Sequence, residues 1–375
     1  MNRFIQLHVL TSYPPSNLNR DDLGRPKSAL VGGSQRLRVS SQALKRAWRT
    51  SENFRAALDG NLGIRTKEMG VEVFKNLLAG GVAEKHARAW ARSIAGCFGK
   101  SKPEKKPESA KKGESESAAA NFDDLHIEQL AHFGPEEIQA IHALVAMLIA
   151  ENRAPEEDEL KLLRAPKAAV DIGLFGRMLA SSPGFNVDAA AQVAHAITVH
   201  KATVEDDYFT AVDDLNRGDE DRGAAHIGET GFGSGIYYLY VCIDVELLDS
   251  NLGGDIALRN RALAALVQAI AQVAPTGKQN SFASRAHASC VLAERGSQQP
   301  RSLHLAYLRP EPKHEGGDDM AAAAIRALRD KRDSLEQMYG PSCNDWRAAV
   351  EGEYRALLGE HAGSLAELVV FLQAE

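Results

Sequence analysis

The sequence predicts an α+β fold, and three observations carry that prediction. Strand-like stretches are scattered between helical ones without a steady strand–helix–strand repeat, which disfavours a doubly wound parallel sheet. YYLYVCIDVEL, starting at Tyr237, is the strongest strand signal in the chain. From about Leu58 to about Leu163 the text is Ala-rich and helical. With 375 residues, 44% hydrophobic and 25% charged, the chain has an ordinary globular composition and can bury a sizeable core.

Each element has its own reason. Phe4 to Thr11 alternates, with Ile5, Leu7 and Val9 on one side and Gln6 and His8 on the other, as a strand does. The short apolar run at the start does not suit a signal peptide. A polar loop follows to Gly33, then a second strand from Gln35 to Ser40. There Arg36, Arg38 and Ser40 share one face, and Leu37 and Val39 the other. Ser40 or Ser41 can cap a helix starting at Gln42. On that helix Leu44, Ala47 and Trp48 form the apolar stripe; Gln42, Lys45 and Arg49 form a polar one. Lys100 to Ser117, with six Lys, four Glu and no apolar anchor, reads as a disordered, solvated loop. Ala169 to Met178 reads as a strand, and a helix is expected around Val187 to Val199. An acidic loop spans Thr203 to Arg222, and GFGSG (Gly231 to Gly235) reads as a hinge. A long helix runs from about Ala257 to Val273 and stops at Pro275. Short strands near Ala286 to Leu292 and Ser302 to Leu308, then terminal helices, complete the chain.

Charge is segregated. Arg20 to Arg49 holds Arg20, Arg25, Lys27, Arg36, Arg38, Lys45, Arg46 and Arg49 against Asp21 and Asp22, a local +6 in a chain of net −6. A cationic strip on an acidic body marks a polyanion-binding groove. A sugar-phosphate chain crossing it would meet Arg36 and Arg38 from the strand, the N–H groups of the helix start, and Gln42, Lys45 and Arg49 from the next turns.

Enzymatic signals are weak. There is no GxSxG, HExxH, Walker or GxGxxG motif. Four separated cysteines without a CxxC pair argue against zinc and disulfides and suit a reducing cytoplasm. No apolar stretch reaches the ~18 residues of a membrane span. His195 and His200 are about 140° apart on an ideal helix, so they read as ordinary histidines. The acids Glu205, Asp206, Asp207, Asp213, Asp214, Asp219, Glu220 and Asp221 could suggest a metal-dependent nuclease. Without histidines beside them, a solvated or partner-facing tip is the better expectation. Tyr208 and Phe209, adjacent in that acidic loop, are candidates for contact with bases or a neighbouring subunit.

HVLTSYPPSNLNRDD, the GG-x-x-R-x-R-[VI]-SSQ-x-LKRA stretch, DIGLFGRM, AHAITVH, and FTAVDDL followed by GAAHIG resemble, in order, the CasC family. These are the repeated backbone subunits of the type I-E CRISPR surveillance complex, Cascade. The resemblance spans roughly Phe4 to Gly254 and thins toward the C-terminus. It implies an RRM-like (ferredoxin-like) palm at 1–57, 164–200 and 233–315, and helical fingers at 58–163. It also implies a protruding thumb at 201–232, with helices at 316–375 packing on the palm. Arg20, Lys27, Ser40, Gln42, Lys45 and Arg49 would grip CRISPR RNA, with Arg36, Arg38 and Arg46 beside them. Met178, Phe209, Thr210 and Ile227 would pack around displaced nucleotides. Tyr208 stands where relatives have Trp, and Ile227 where they have Leu.

The resemblance further implies a non-catalytic cytoplasmic protein with no cofactor. Copies would polymerise head-to-tail on the guide with other Cascade subunits, and the guide would pair with target DNA. The alternative is an RNA endonuclease whose carboxylates come from Asp21, Asp22 or the thumb; a third possibility is a generic single-strand-binding protein. In a head-to-tail array the acidic loop of one copy is expected to meet the Arg20 to Arg49 strip of the next.

Overall fold

A computed structural model describes residues 3–102, 122–162, 169–211, 226–310, 319–343 and 345–374. The chain divides into two compact units. The first comprises Met1–Ala57, Ala191–Glu246 and Asn260–Glu375; the second comprises Leu58–Ala190 and Leu247–Arg259. The fold is α+β. Twelve strands are described: β1 (Phe4–Ser16), β2 (Ser28–Val31), β3 (Ser34–Val39), β4 (Ile64–Thr66), β5 (Ala131–Phe133), β6 (Ala191–Val193), β7 (Ala196–Thr198), β8 (Glu205–Ala211), β9 (His226–Asp244), β10 (Ala288–Gly296), β11 (Asp345–Val350) and β12 (Ala362–Gly363).

In the first unit one sheet runs β12-β11-β10-β1-β9-β7-β3-β2, with β6 and β8 also pairing to β9. Its centre is β10-β1-β9-β7, every neighbour antiparallel. The chain passes through β1, the helix Ser41–Thr50, β7, β9, the helix Ile256–Gln272 and β10. That βαββαβ order is the ferredoxin-like, RRM-like arrangement. β1 is buried along most of its length because both faces of the sheet are covered. On one face Tyr13, Tyr237 and Leu239 meet Leu44 and Trp48 of the first helix and Ile270 of the second. On the other, Leu10, Tyr238, Cys290 and Leu292 pack with Ile325 and Leu328 of the helix Met320–Tyr339. An RRM normally offers an open sheet face to RNA. Here that face is closed by the last long helix.

The covered face also holds charge. Glu294 is fully buried and accepts from Arg301 at 2.8 and 3.1 Å, from Arg332 at 2.9 Å, and from His8 Nε2 at 3.2 Å. Burial pushes its carboxyl up, but the bonds and charges of His8 and Arg301 outweigh burial and hold it below the ordinary range. Burial lowers His8. Its Nδ1 lies 2.9 Å from the Tyr238 hydroxyl. Glu294, Glu336 and Cys343 are the one group of three metal-capable side chains among the described residues. Arg332 bonds to all three, so a guanidinium occupies the centre of the group.

The second unit has its own core. Phe74, Leu77, Trp90, Ile94, Phe98, Phe133, Ile141 and Leu148 bring together the helices Met69–Ala79, Glu84–Gly96 and Pro135–Glu151 and the β4–β5 ribbon. Arg177 and Glu137 form a buried pair at 2.7 Å, and Glu137 also caps its own helix by accepting from the Gly134 N–H.

Several local expectations are corrected. Ala169 to Met178 is not a strand: Val170–Phe175 is a helix, ended at Gly176 with φ 80°. Val170, Ile172 and Leu174 alternate as a strand would, but every residue from Val170 to Leu174 is buried, so the alternation marks no face. The helix is selected because buried Asp171 bonds to His132 and to the Gly63 N–H. The expected helix at Val187 to Val199 is instead β6 and β7, both pairing with β9. Sheet pairing here overrides the helix propensity of alanine. Tyr208 and Phe209 lie on strand β8, and GFGSG lies within β9, where its pairing passes from β8 to β1 through a register irregularity. Ser302 to Leu308 contains a short 3-10 helix, His304–Tyr307, and β11 and β12 separate the terminal helices. Most of the Lys100 to Ser117 loop lies outside the described residues.

Candidate nucleic-acid interface

The basic strip folds into a hairpin and a helix. β2 and β3 are joined by Gly32 and Gly33, with φ 58° and 76°, a two-residue turn that needs left-handed backbone at both positions. A Cβ at Gly32 would lie 1.8 Å from the Leu308 carbonyl oxygen, so only glycine fits. Ser40 ends β3 and caps the helix Ser41–Thr50: its Oγ accepts from the Ala43 N–H at 3.3 Å. Leu44, Ala47 and Trp48 are buried, as their stripe predicts. The Ser41 and Gln42 N–H groups have no partner among the described residues. They are the donors a helix start offers to an anion.

Around that helix start the chain places Lys27, Arg38 and Lys45, with Arg49 in the last turn of the same helix. Lys27 and Arg38 are neighbours, because the Arg38 N–H donates to the Lys27 carbonyl at 2.8 Å. Both side chains are half-buried, as are Lys45 and Arg49, while Arg20, Gln42 and Arg46 are exposed. Burial lowers the Lys45 ammonium pKa. An anion set against it would reverse that shift, so binding and charge reinforce each other. Arg20 and Arg46, with Asp21, Asp22, Thr50 and Thr276, line an open groove of about 560 Å³ on the other side of the helix.

Arg36 is a correction. Alternation put it on the exposed face with Arg38, but it is fully buried. Its guanidinium donates to the Thr198 carbonyl at 2.8 Å and the Tyr307 carbonyl at 2.9 Å, tying β3 to β7 and to the 3-10 helix. It is an internal clamp and cannot touch a phosphate. The period-2 pattern failed because β3 is an interior strand of the sheet, where a guanidinium satisfied by carbonyls can be buried.

Two asparagines that composition does not single out hold the ledge together. Asn19 accepts the Ser40 N–H on Oδ1 at 2.9 Å and the Lys27 N–H on its carbonyl at 2.8 Å. Asn17 Nδ2 donates to the carbonyls of Gly24 and Gly231, both at 2.9 Å. Their signal lies in the SNLNRDD run, where paired asparagines suggest side chains standing in for backbone partners. Asp21 Oδ1 accepts the N–H groups of Leu23 and Arg25, so this carboxylate is spent on closing a turn.

β8 and the first part of β9 form a ribbon beyond the sheet, with every residue of β8 exposed. Tyr208 is 64% exposed and Phe209 41%, unusual for large apolar side chains. Phe209 sits opposite Gly228, where a Cβ would come within 2.4 Å of its ring. Thr210 pairs with Ile227 in the same ribbon. At the base, Arg25 meets Asp206 at 2.9 Å, so one acid of the ribbon is paired within its own chain. Asp213, Asp214, Asp219, Glu220 and Asp221 lie outside the described residues. In the second unit Met178 is 75% exposed. It follows the helix Val170–Phe175 rather than ending a strand.

Comparison with known proteins agrees with this architecture. One solved structure, a CRISPR RNA-guided surveillance complex in a pre-nicking state, contains a chain 29% identical, with a TM-score of 0.78; the match covers 98% of this chain and 99% of that one. A second CRISPR RNA-guided surveillance complex contains a chain 25% identical with a TM-score of 0.69, covering 99% of both. No curated protein sequence matches the chain. The profile of the CT1975-like protein family matches residues 5–370, and the chain belongs to that family.

Proposed function

We propose that the chain is a non-catalytic, RNA-binding subunit of a CRISPR RNA-guided surveillance complex. Copies polymerise head-to-tail along the CRISPR RNA in the cytoplasm, with other subunits of the complex, and present the spacer to target DNA. The observation that carries this is a capped helix start, its first N–H groups unpartnered among the described residues, with Lys27 and Arg38 beside it and Lys45 and Arg49 continuing the positive charge along the helix. Such a ledge contacts phosphate and ribose and leaves base edges free, so any spacer fits and pairing carries the sequence. The exposed Met178, Tyr208 and Phe209, with Thr210 and Ile227, would act as wedges that displace guide nucleotides at intervals, so that pairing proceeds in short runs. The 1–57, 164–200 and 233–315 segments serve as palm, 58–163 as fingers and 201–232 as thumb.

Among the described residues no helix is long and apolar enough to cross a membrane. The test is to recover the protein from cells and sequence any RNA that accompanies it. Short RNAs of uniform length, left intact with Mg²⁺ and complementary RNA, support the proposal. RNA of random length, or cleavage of the complementary strand at regular spacing, contradicts it.

A further inference from the structure

His195 lies outside the basic strip, in the turn between β6 and β7, and its sequence spacing reads it as an ordinary histidine. Pairing of β7 with β3 sets Arg38 opposite Ile197 and so brings His195 to the ledge. Arg38 Nη1 and His195 Nδ1 are 2.6 Å apart. A guanidinium can only donate, so Nδ1 accepts and the ring carries its hydrogen on Nε2. Burial first, then the charges of Arg38 and Lys27, lowers the His195 pKa from 6.5 and keeps the ring neutral. No carboxylate is among the groups that shift it. The residue is exposed, and Nε2–H has no partner among the described residues.

We infer that Lys27, Arg38 and His195 form one phosphodiester-binding subsite, in which His195 Nε2–H donates to a phosphate oxygen. Two fixed cations with one neutral donor and, among the described residues, no acid shifting it are suited to a singly charged phosphodiester. An acidic side chain of a second copy would satisfy the same donors. RNA is favoured because the subsite is continuous with the helix start: Arg38 precedes the Ser40 cap by two residues on β3. The subsite rests on the RNA-binding function proposed above and adds a donor from a separate strand connection.

The experiment measures binding of full-length protein to a labelled single-stranded RNA of mixed sequence, at pH 8 and several salt concentrations. His195→Ala is expected to weaken binding about 10-fold or more, the loss of one hydrogen bond to a charged acceptor. His195→Gln, which retains a donor, keeps affinity within about two-fold and serves as the informative variant should alanine disturb the fold. A neutral ring releases no counterion, so His195→Ala leaves the salt dependence unchanged. Lys27→Ala and Arg38→Ala each make its slope shallower by about 0.7.

Full affinity in His195→Ala, with weakened Lys27→Ala and Arg38→Ala, overturns the subsite and leaves RNA binding by the ledge intact. Unchanged affinity in all three variants likewise overturns the subsite, whereas absence of RNA binding by the unaltered protein overturns the RNA-binding function itself. Loss of self-association with RNA affinity preserved would assign the donors to a second copy and overturn the subsite.

Discussion

Behind the sheet, Glu294 has two arginines and a histidine bonded to it and is sealed from water. At the end of β3, among the described residues, the Arg38 guanidinium is bonded to a neutral histidine and the helix start beside it offers N–H groups with no partner. Both places concentrate charge in the same unit, yet their physics is opposite. Buried charges survive only when each is answered within the chain. A half-exposed ledge tolerates an excess of one sign, and that excess is what an incoming polyanion neutralises. A charged residue's role therefore follows from which region it occupies, and Arg36, drawn from the basic strip but placed in the interior, is the instructive case.

The largest expected effect tests the interior. Glu294→Ala leaves Arg301 and His8 without their carboxylate, removes one of the acceptors of Arg332, and should cost about 3–5 kcal/mol in a urea unfolding series. A cost below about 1 kcal/mol would mean that the cluster is not a closed charge network. Arg36→Met comes next. Two buried carbonyls lose their donor, for a loss of about 2–3 kcal/mol, while RNA affinity of the folded protein stays within about two-fold. Should RNA affinity collapse with stability intact, Arg36 belongs to the ledge after all and the division fails.

Acid should weaken the interior in a defined sense. His8 is held below 6.5 in the folded state, so the unfolded chain takes up that proton more readily. Its contribution is complete above pH 6.5 and is lost as pH falls toward the folded value. Glu294, also depressed, adds stability that is complete above its ordinary 4.5 and lost as pH falls through its folded value. His195 and His304 are lowered too and act in the same direction as His8. The difference between wild type and His8→Gln in thermal melts below pH 6.5 therefore isolates the buried ring. Parallel curves would show that His8 does not titrate on unfolding. The smallest effect belongs to the exposed pair at the ribbon base: Asp206→Asn should cost no more than about 1 kcal/mol of stability. A larger loss would make Arg25–Asp206 part of the folded framework.

How much of this was legible follows the same division. β1, β3, the cap at Ser40 and the stripe Leu44–Ala47–Trp48 could be read directly, because local period and capping chemistry agree with the final packing. The cationic ledge was legible as charge segregation. Arg36 was not, since alternation specifies a face without saying whether that face is solvated. β6, β7 and the helix Val170–Phe175 were misread because their form is imposed by β9 and by the Asp171 bonds, partners distant in sequence. His195 reads as an ordinary histidine for the same reason: only the β3–β7 pairing brings it to Arg38.

The most direct test of the central claim is the RNA content of the assembly isolated from cells expressing Lys45→Ala/Arg49→Ala protein. Loss of two charged phosphate contacts should lower guide affinity about 100-fold or more and leave the isolated protein without guide, while its unfolding midpoint stays near that of the wild type. Guide RNA recovered at the wild-type ratio from that variant would show that the ledge does not hold the nucleic acid.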